Sequence, residues 1–62
     1  MYFKIIETAE GTELHVSNKR KEVERHEALS KRLGPNFKGD RDKEIKSWRH
    51  ELTKIYCATE VK

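Results

Sequence analysis

Between Met1 and Ser17, apolar and polar residues alternate around Glu10-Gly11, and this period of two constrains the fold more than any other feature of the chain. Alternation sends successive side chains to opposite faces of a strand, and Gly11 can take the positive φ that a tight hairpin needs. A two-residue loop at Glu10-Gly11 pairs Ile5 with Val16 and Glu7 with Leu14, which gathers Phe3, Ile5, Leu14 and Val16 on one face. A three-residue loop, Ala9-Glu10-Gly11, would set Glu7 against Glu13, and this like-charge pair favours the first register. Tyr2, Ile6 and His15 then share the other face, either as ordinary exposed residues or as contacts through which the hairpin edge extends a partner's sheet.

After the hairpin the period changes. Residues 18–33 read as a helix, opened by the cap-like Ser17-Asn18 pair and stopped by Gly34-Pro35. At about 100° per residue, Val23, His26, Leu29, Ser30 and Leu33 share a stripe, which His26 and Ser30 dilute. Residues 40–57 form a second helix: Asp40 is a suitable N-cap, Asp42 and Glu44 suit the positive end of the helix dipole, and Ile45, Trp48, Leu52, Ile55 and Tyr56 recur on one side. Residues 34–39 connect the two helices, with Phe37 as a plug over the core or an exposed contact. The tail from Ala58 to Lys62 extends the helix, frays or returns as a short strand.

The expected fold is therefore α+β, a two-stranded antiparallel hairpin followed by two helices (ββαα) in one small domain spanning residues 1–62. The expected core is Phe3, Ile5, Leu14, Val16, Leu29, Leu33, Ile45, Trp48, Leu52 and Ile55, with Tyr56 at its margin. A chain of 62 residues buries only ~60% of the surface its unfolded form exposes. Its single Cys57 cannot form an internal bridge, so a partner protein or self-association as a dimer is the expected source of added stability. A lone thiol also suits a reducing compartment. With no signal-like segment, spanning apolar run or lipidation motif, the expectation is a cytoplasmic protein that does not engage a membrane.

Charge is unevenly placed. Residues 1–17 carry one Lys against three Glu, residues 18–39 seven cations against three anions, and residues 40–62 six against five, within a total of +3. Lys19, Arg20 and Lys21 open the first helix, where the dipole already favours anions, and a helix start ringed by cations is suited to phosphate or carboxylate. Arg25, Lys31 and Arg32 extend the track and Lys38 adds the loop. These residues are the candidate contacts to a nucleic-acid backbone or another anion, since phosphate neutralisation by Lys and Arg releases condensed counterions. The competing assignment is a protein-interaction module or inhibitor of a larger partner, with Tyr2, Ile6 and Phe37 as apolar anchors.

Catalytic and metal motifs fail on spacing. His50-Glu51 begins like a zinc-protease helix, but Lys54 stands where the second His belongs. His15, His26, His50 and Cys57 lack paired short spacings, and Asp40, Asp42, Glu44 and Glu51 match a calcium loop only until Ile45 occupies the glycine position. No enzyme, cofactor, metal or small-molecule substrate is expected. The format, a short hairpin with highly charged helices and no catalytic motif, resembles small accessory proteins of bacteriophages and other mobile elements, which implies regulatory action by binding.

Overall fold

Seven residues on each side of a tight turn build the centre of the molecule. In the computed structural model, which describes residues 1–62, β1 (Tyr2–Thr8) and β2 (Gly11–Ser17) form the hairpin. A short helix, α1 (Arg20–Glu24), is followed by β3 (Leu29–Leu33), α2 (Arg41–His50) with a π-helical turn at Glu51–Ile55, and β4 (Thr59–Glu60). The sheet is mixed, in the order β3-β2-β1-β4: the hairpin and β2–β3 are antiparallel, while β4 runs parallel to β1. The α+β class stands, but the expected two-stranded hairpin with two following helices is corrected to a four-stranded sheet.

The hairpin register also differs from the expected one. Ile5 faces Leu14, Phe3 faces Val16 and Thr8 faces Gly11, so the turn residues are Ala9 and Glu10. Thr8 fixes this turn through its hydroxyl, which accepts from the Glu10 N–H and donates to the Gly11 carbonyl, each at 3.1 Å. Gly11 does adopt a positive φ of 119°, but from within β2, where a Cβ would collide with the Leu33 carbonyl of β3. The shift is two residues, so the four apolar side chains keep their common face.

Residues 18–33 depart furthest from expectation. Helix α1 lasts five residues and ends at His26, whose φ of 58° is left-handed. The Glu27 N–H reaches the Glu22 carbonyl at 2.8 Å and the His26 N–H reaches Val23 at 3.1 Å, the paired bonds of a Schellman ending. The chain then turns into β3, where Leu14 faces Lys31 and Thr12 faces Leu33, with an irregularity beside His15. Gly34-Pro35 therefore ends a strand, not a helix. With a single helical turn, the dipole conflict at Lys19–Lys21 is small, and Glu22 supplies a carboxylate to that turn.

Helix α2 begins as expected. Asp40 accepts from the Lys43 N–H at 3.1 Å, with Asp42 and Glu44 in the first turn. Beyond His50 the π-helical turn carries more residues per turn, so side chains after Leu52 come round late and leave the core stripe. Ile55 and Tyr56 are consequently 68% and 53% exposed, contrary to their expected place in the core, as is Leu29 at 50%. Cys57, at φ 53°, ends the helical segment, and of the three alternatives for the tail the strand is realised: Thr59 N–H donates to Met1 and Val61 N–H to Phe3, at 2.9 and 2.8 Å.

Both faces of the sheet are covered. Phe3, Leu14, Trp48, Leu52 and Ala58 form the apolar core beneath α2, with Ile5, Val16, Leu33 and Ile45 packed against it. On the other face α1 packs on β1 and β2 and buries Val23 completely. Val23, Ala58 and Val61 are buried though none was expected in the core.

Candidate binding surface

The α1 face carries a polar network. His15, only 2% exposed, accepts the Ala28 N–H on Nδ1 at 3.2 Å, so its proton lies on Nε2 and points at Glu13 Oε1, 3.0 Å away. Glu13 Oε2 in turn accepts from Arg32 Nε at 3.1 Å and from its Nη2. The His15 hydrogen bond first, and then the Arg32 guanidinium, hold the Glu13 carboxyl below the usual carboxylate range. Glu13 likewise pushes Arg32 upward, keeping it charged. The His26 ring lies tilted at 5.6 Å from His15, yet both nitrogens of His15 are occupied, which removes it as a metal ligand. No group of three His, Cys, Asp or Glu side chains is placed to hold a metal ion.

The candidate cations fall on different elements. Lys19 caps α1 without a side-chain cap bond; its N–H donates to Ser17 Oγ at 3.0 Å, and the Ser17 hydroxyl donates to Glu22 at 2.6 Å. Arg20 lies 3.7 Å from Glu24, and Arg32 is tied to Glu13, with Glu10 at 3.6 Å. Lys19, Lys21 and Arg25 stay together at α1, exposed and without ion-pair partners. Lys31 belongs to the α2 face of β3 and Lys38 to the β3–α2 loop, so the seven do not form one helical row. Among the apolar candidates, Tyr2 and Ile6 are half-buried on the α1-covered face. Phe37 is also half-buried, outside the apolar core, with the Arg41 guanidinium over its ring at 5.6 Å.

Arg41 explains the ordering of that loop. Its guanidinium donates to the Leu33 and Gly34 carbonyls at 3.0 and 2.6 Å and to the buried Thr12 hydroxyl at 3.0 Å, joining the end of β3 to the start of α2. On the opposite side Arg49 makes a two-pronged bond to Glu60 at 3.0 and 3.1 Å, fastening α2 over β4.

Between β3 and the C-terminal half of the helical segment lies a groove of about 240 Å³. Leu14 and Val16 form its floor, Ser30 and Lys31 one wall, and Trp48, Leu52 and Tyr56 the other, with Glu51 beside them. Typical small-molecule pockets occupy about 300–1,000 Å³, so this one fits a single large side chain better than a metabolite. β3 is the terminal strand on this side and pairs only with β2, leaving its outward backbone groups free. Lys31 and Arg32 are among the expected contacts, but as part of a helical track; the strand edge they belong to and Tyr56 were missed, although Lys31 and Leu33 stand at strand spacing, with the irregularity beside His15 setting Leu29 opposite that residue. Comparison with protein-family models, curated proteins and solved structures found no match. No helix is long and apolar enough to cross a membrane.

Proposed function

We propose that this chain is a small, non-enzymatic accessory or regulatory module that acts by binding another protein at the β3 edge. The observation that carries this reading is the juxtaposition of an unpaired strand edge with an apolar groove walled by the exposed Tyr56. Strand addition draws affinity from main-chain hydrogen bonds and specificity from pockets that take alternate side chains. Both parts are present side by side. Tyr56 is well suited to such a role, since aromatic anchors dominate interface energetics. The helical segment supports the same reading, because π turns inside helices recur at functional sites and this one swings Tyr56 to the groove.

The test is retention of a protein from native extract by the immobilised chain, with nuclease present, compared with the Tyr56→Ala chain. Retention that depends on Tyr56 is expected; equal retention by both chains, or its loss to nuclease, overturns the assignment. A nucleic-acid reading draws on Lys19, Lys21 and Arg25, three exposed cations without ion-pair partners at α1. It requires a labelled duplex or single strand to bind at low salt with an affinity that falls steeply as salt rises. Failure of both probes at low salt removes it.

A further inference from the structure

Resting on the strand-addition reading, we infer that the segment bound at β3 is an extended acidic stretch of another protein carrying one large uncharged apolar side chain, which enters the groove. The argument begins with the charges on the edge. Lys31 and Arg32 lie side by side in β3, and Lys38 follows in the adjoining loop. Lys31 has no carboxylate partner, and Arg32 remains 42% exposed even with Glu13 and Glu10 beside it. An added strand therefore meets Lys31, which forms no ion pair although Glu51 lines the same groove, on the α2 face and a half-open guanidinium already held by Glu13 on the other.

Those charges also select against a second copy of this chain. Two β3 strands paired antiparallel about a two-fold axis match residues of the same face, and in the register that overlaps the whole of Leu29–Leu33 the central pair is Lys31 against Lys31. Like charges directly opposite destabilise a sheet, and edge lysines are a recognised device against self-pairing. A partner residue that carries a carboxylate opposite Lys31 converts the repulsion into a cross-strand ion pair. Close by, the floor of Leu14 and Val16 and the wall of Trp48, Leu52 and Tyr56 call for an apolar group. Glu51 on the helix side disfavours a carboxylate inside the groove itself, so acid and anchor occupy different positions of the partner strand. In a strand, residues two apart share a face, which lets one side chain meet Lys31 while its neighbour on that face enters the groove.

A random heptapeptide display library selected on the full chain tests the inference. Enriched peptides are expected to combine Asp or Glu with Phe, Trp, Leu or Ile and to slow hydrogen exchange of the β3 amides. They should bind the Lys31→Glu chain about tenfold more weakly, and Tyr56→Ala should weaken selection of the apolar residue. Lys31 and Tyr56 are exposed, and thermal melts of both variants verify that the fold is retained. Peptides that protect β3 but are neutral or basic, or that bind Lys31→Glu equally well, overturn the acidic assignment and leave the strand-addition reading standing. Absence of any peptide that protects β3 overturns both. Protection of β3 by self-association in sedimentation, or by a labelled oligonucleotide, overturns the choice of partner.

Discussion

The two faces of the sheet are held by different physics. Under α2 the contact is mostly hydrocarbon: Phe3, Leu14, Trp48, Leu52 and Ala58 form one buried cluster. Outside that cluster the buried apolar side chains are Val23, under α1, and Val61, and beside Val23 the polar His15 and Glu13 are buried with hydrogen bonds to Ala28 and Arg32. Removing area weakens the first face. The second depends on each polar group keeping its partner, because a buried donor or acceptor left alone costs about 1–3 kcal/mol. The α2 face therefore responds chiefly to changes in side-chain volume and the α1 face to changes in charge, and the two can be perturbed separately.

The largest effect belongs to the apolar face. Trp48→Ala should cost about 3–5 kcal/mol by lost burial and cavity formation, enough in a chain of 62 residues to abolish a cooperative thermal melt. A melt that merely shifts by a few degrees would show that the groove side of Trp48 leaves it less committed to the core than its 6% exposure indicates. Next comes the clamp at the end of that face. Arg41→Met keeps the stem but removes donors to Leu33, Gly34 and Thr12, and the expected loss by chemical denaturation is about 2 kcal/mol, within the range for hydrogen bonds to charged groups. A change near zero would mean that water replaces the guanidinium at the β3–α2 junction.

The same contrast governs what was legible in the sequence. Asp40 announces α2 because a cap bond is local, and the apolar spacing of Ile45, Trp48 and Leu52 reports a face held chiefly by buried area. The hairpin face survived a two-residue error in register because a shift of two preserves the pleat. Leu29–Leu33 was ambiguous: Leu29 and Leu33 suit a helix at i, i+4, whereas Leu29, Lys31 and Leu33 suit a strand at i, i+2. What decides between them is tertiary, namely the His15 ring that takes the Ala28 N–H and the β2 edge that receives β3. The two helix stops at His26 and Cys57 carry no glycine and so give no local sign. The groove follows from these choices, since its walls come from the strand that was read as helix and from the turn that rotates Tyr56 outward.

Acid should discriminate between the faces. The folded-state pKa of Glu13 is lowered, so its contribution to stability is present at neutral pH and begins to decline as pH falls into the usual carboxylate range. It is lost as pH drops through the lowered value. Glu13→Gln removes that dependence: the variant should be less stable than the parent near neutrality, with the difference shrinking toward acid pH. Denaturation midpoints of both chains across the acid range provide the comparison. A difference independent of pH would mean that Glu13 acts through packing and not through its charge.

The smallest effect carries the sharpest sign. His26 closes α1 in a left-handed conformation that L residues with a Cβ adopt at a cost of roughly 1–2 kcal/mol and glycine adopts freely. Its side chain is exposed, so His26→Gly gives up little packing beyond the tilted contact with His15. The expected result is a gain of about 0.5–1 kcal/mol, reduced somewhat by the greater freedom of glycine in the unfolded chain. A continuous helix through residues 18–33 requires the opposite, because glycine in a helix interior costs about 1 kcal/mol relative to alanine. One pair of thermal melts thus reads the conformation at His26 from the direction of the shift. Stabilisation means that the chain turns there and delivers Leu29–Leu33 to the sheet edge; destabilisation would remove β3, and with it the surface on which binding is proposed.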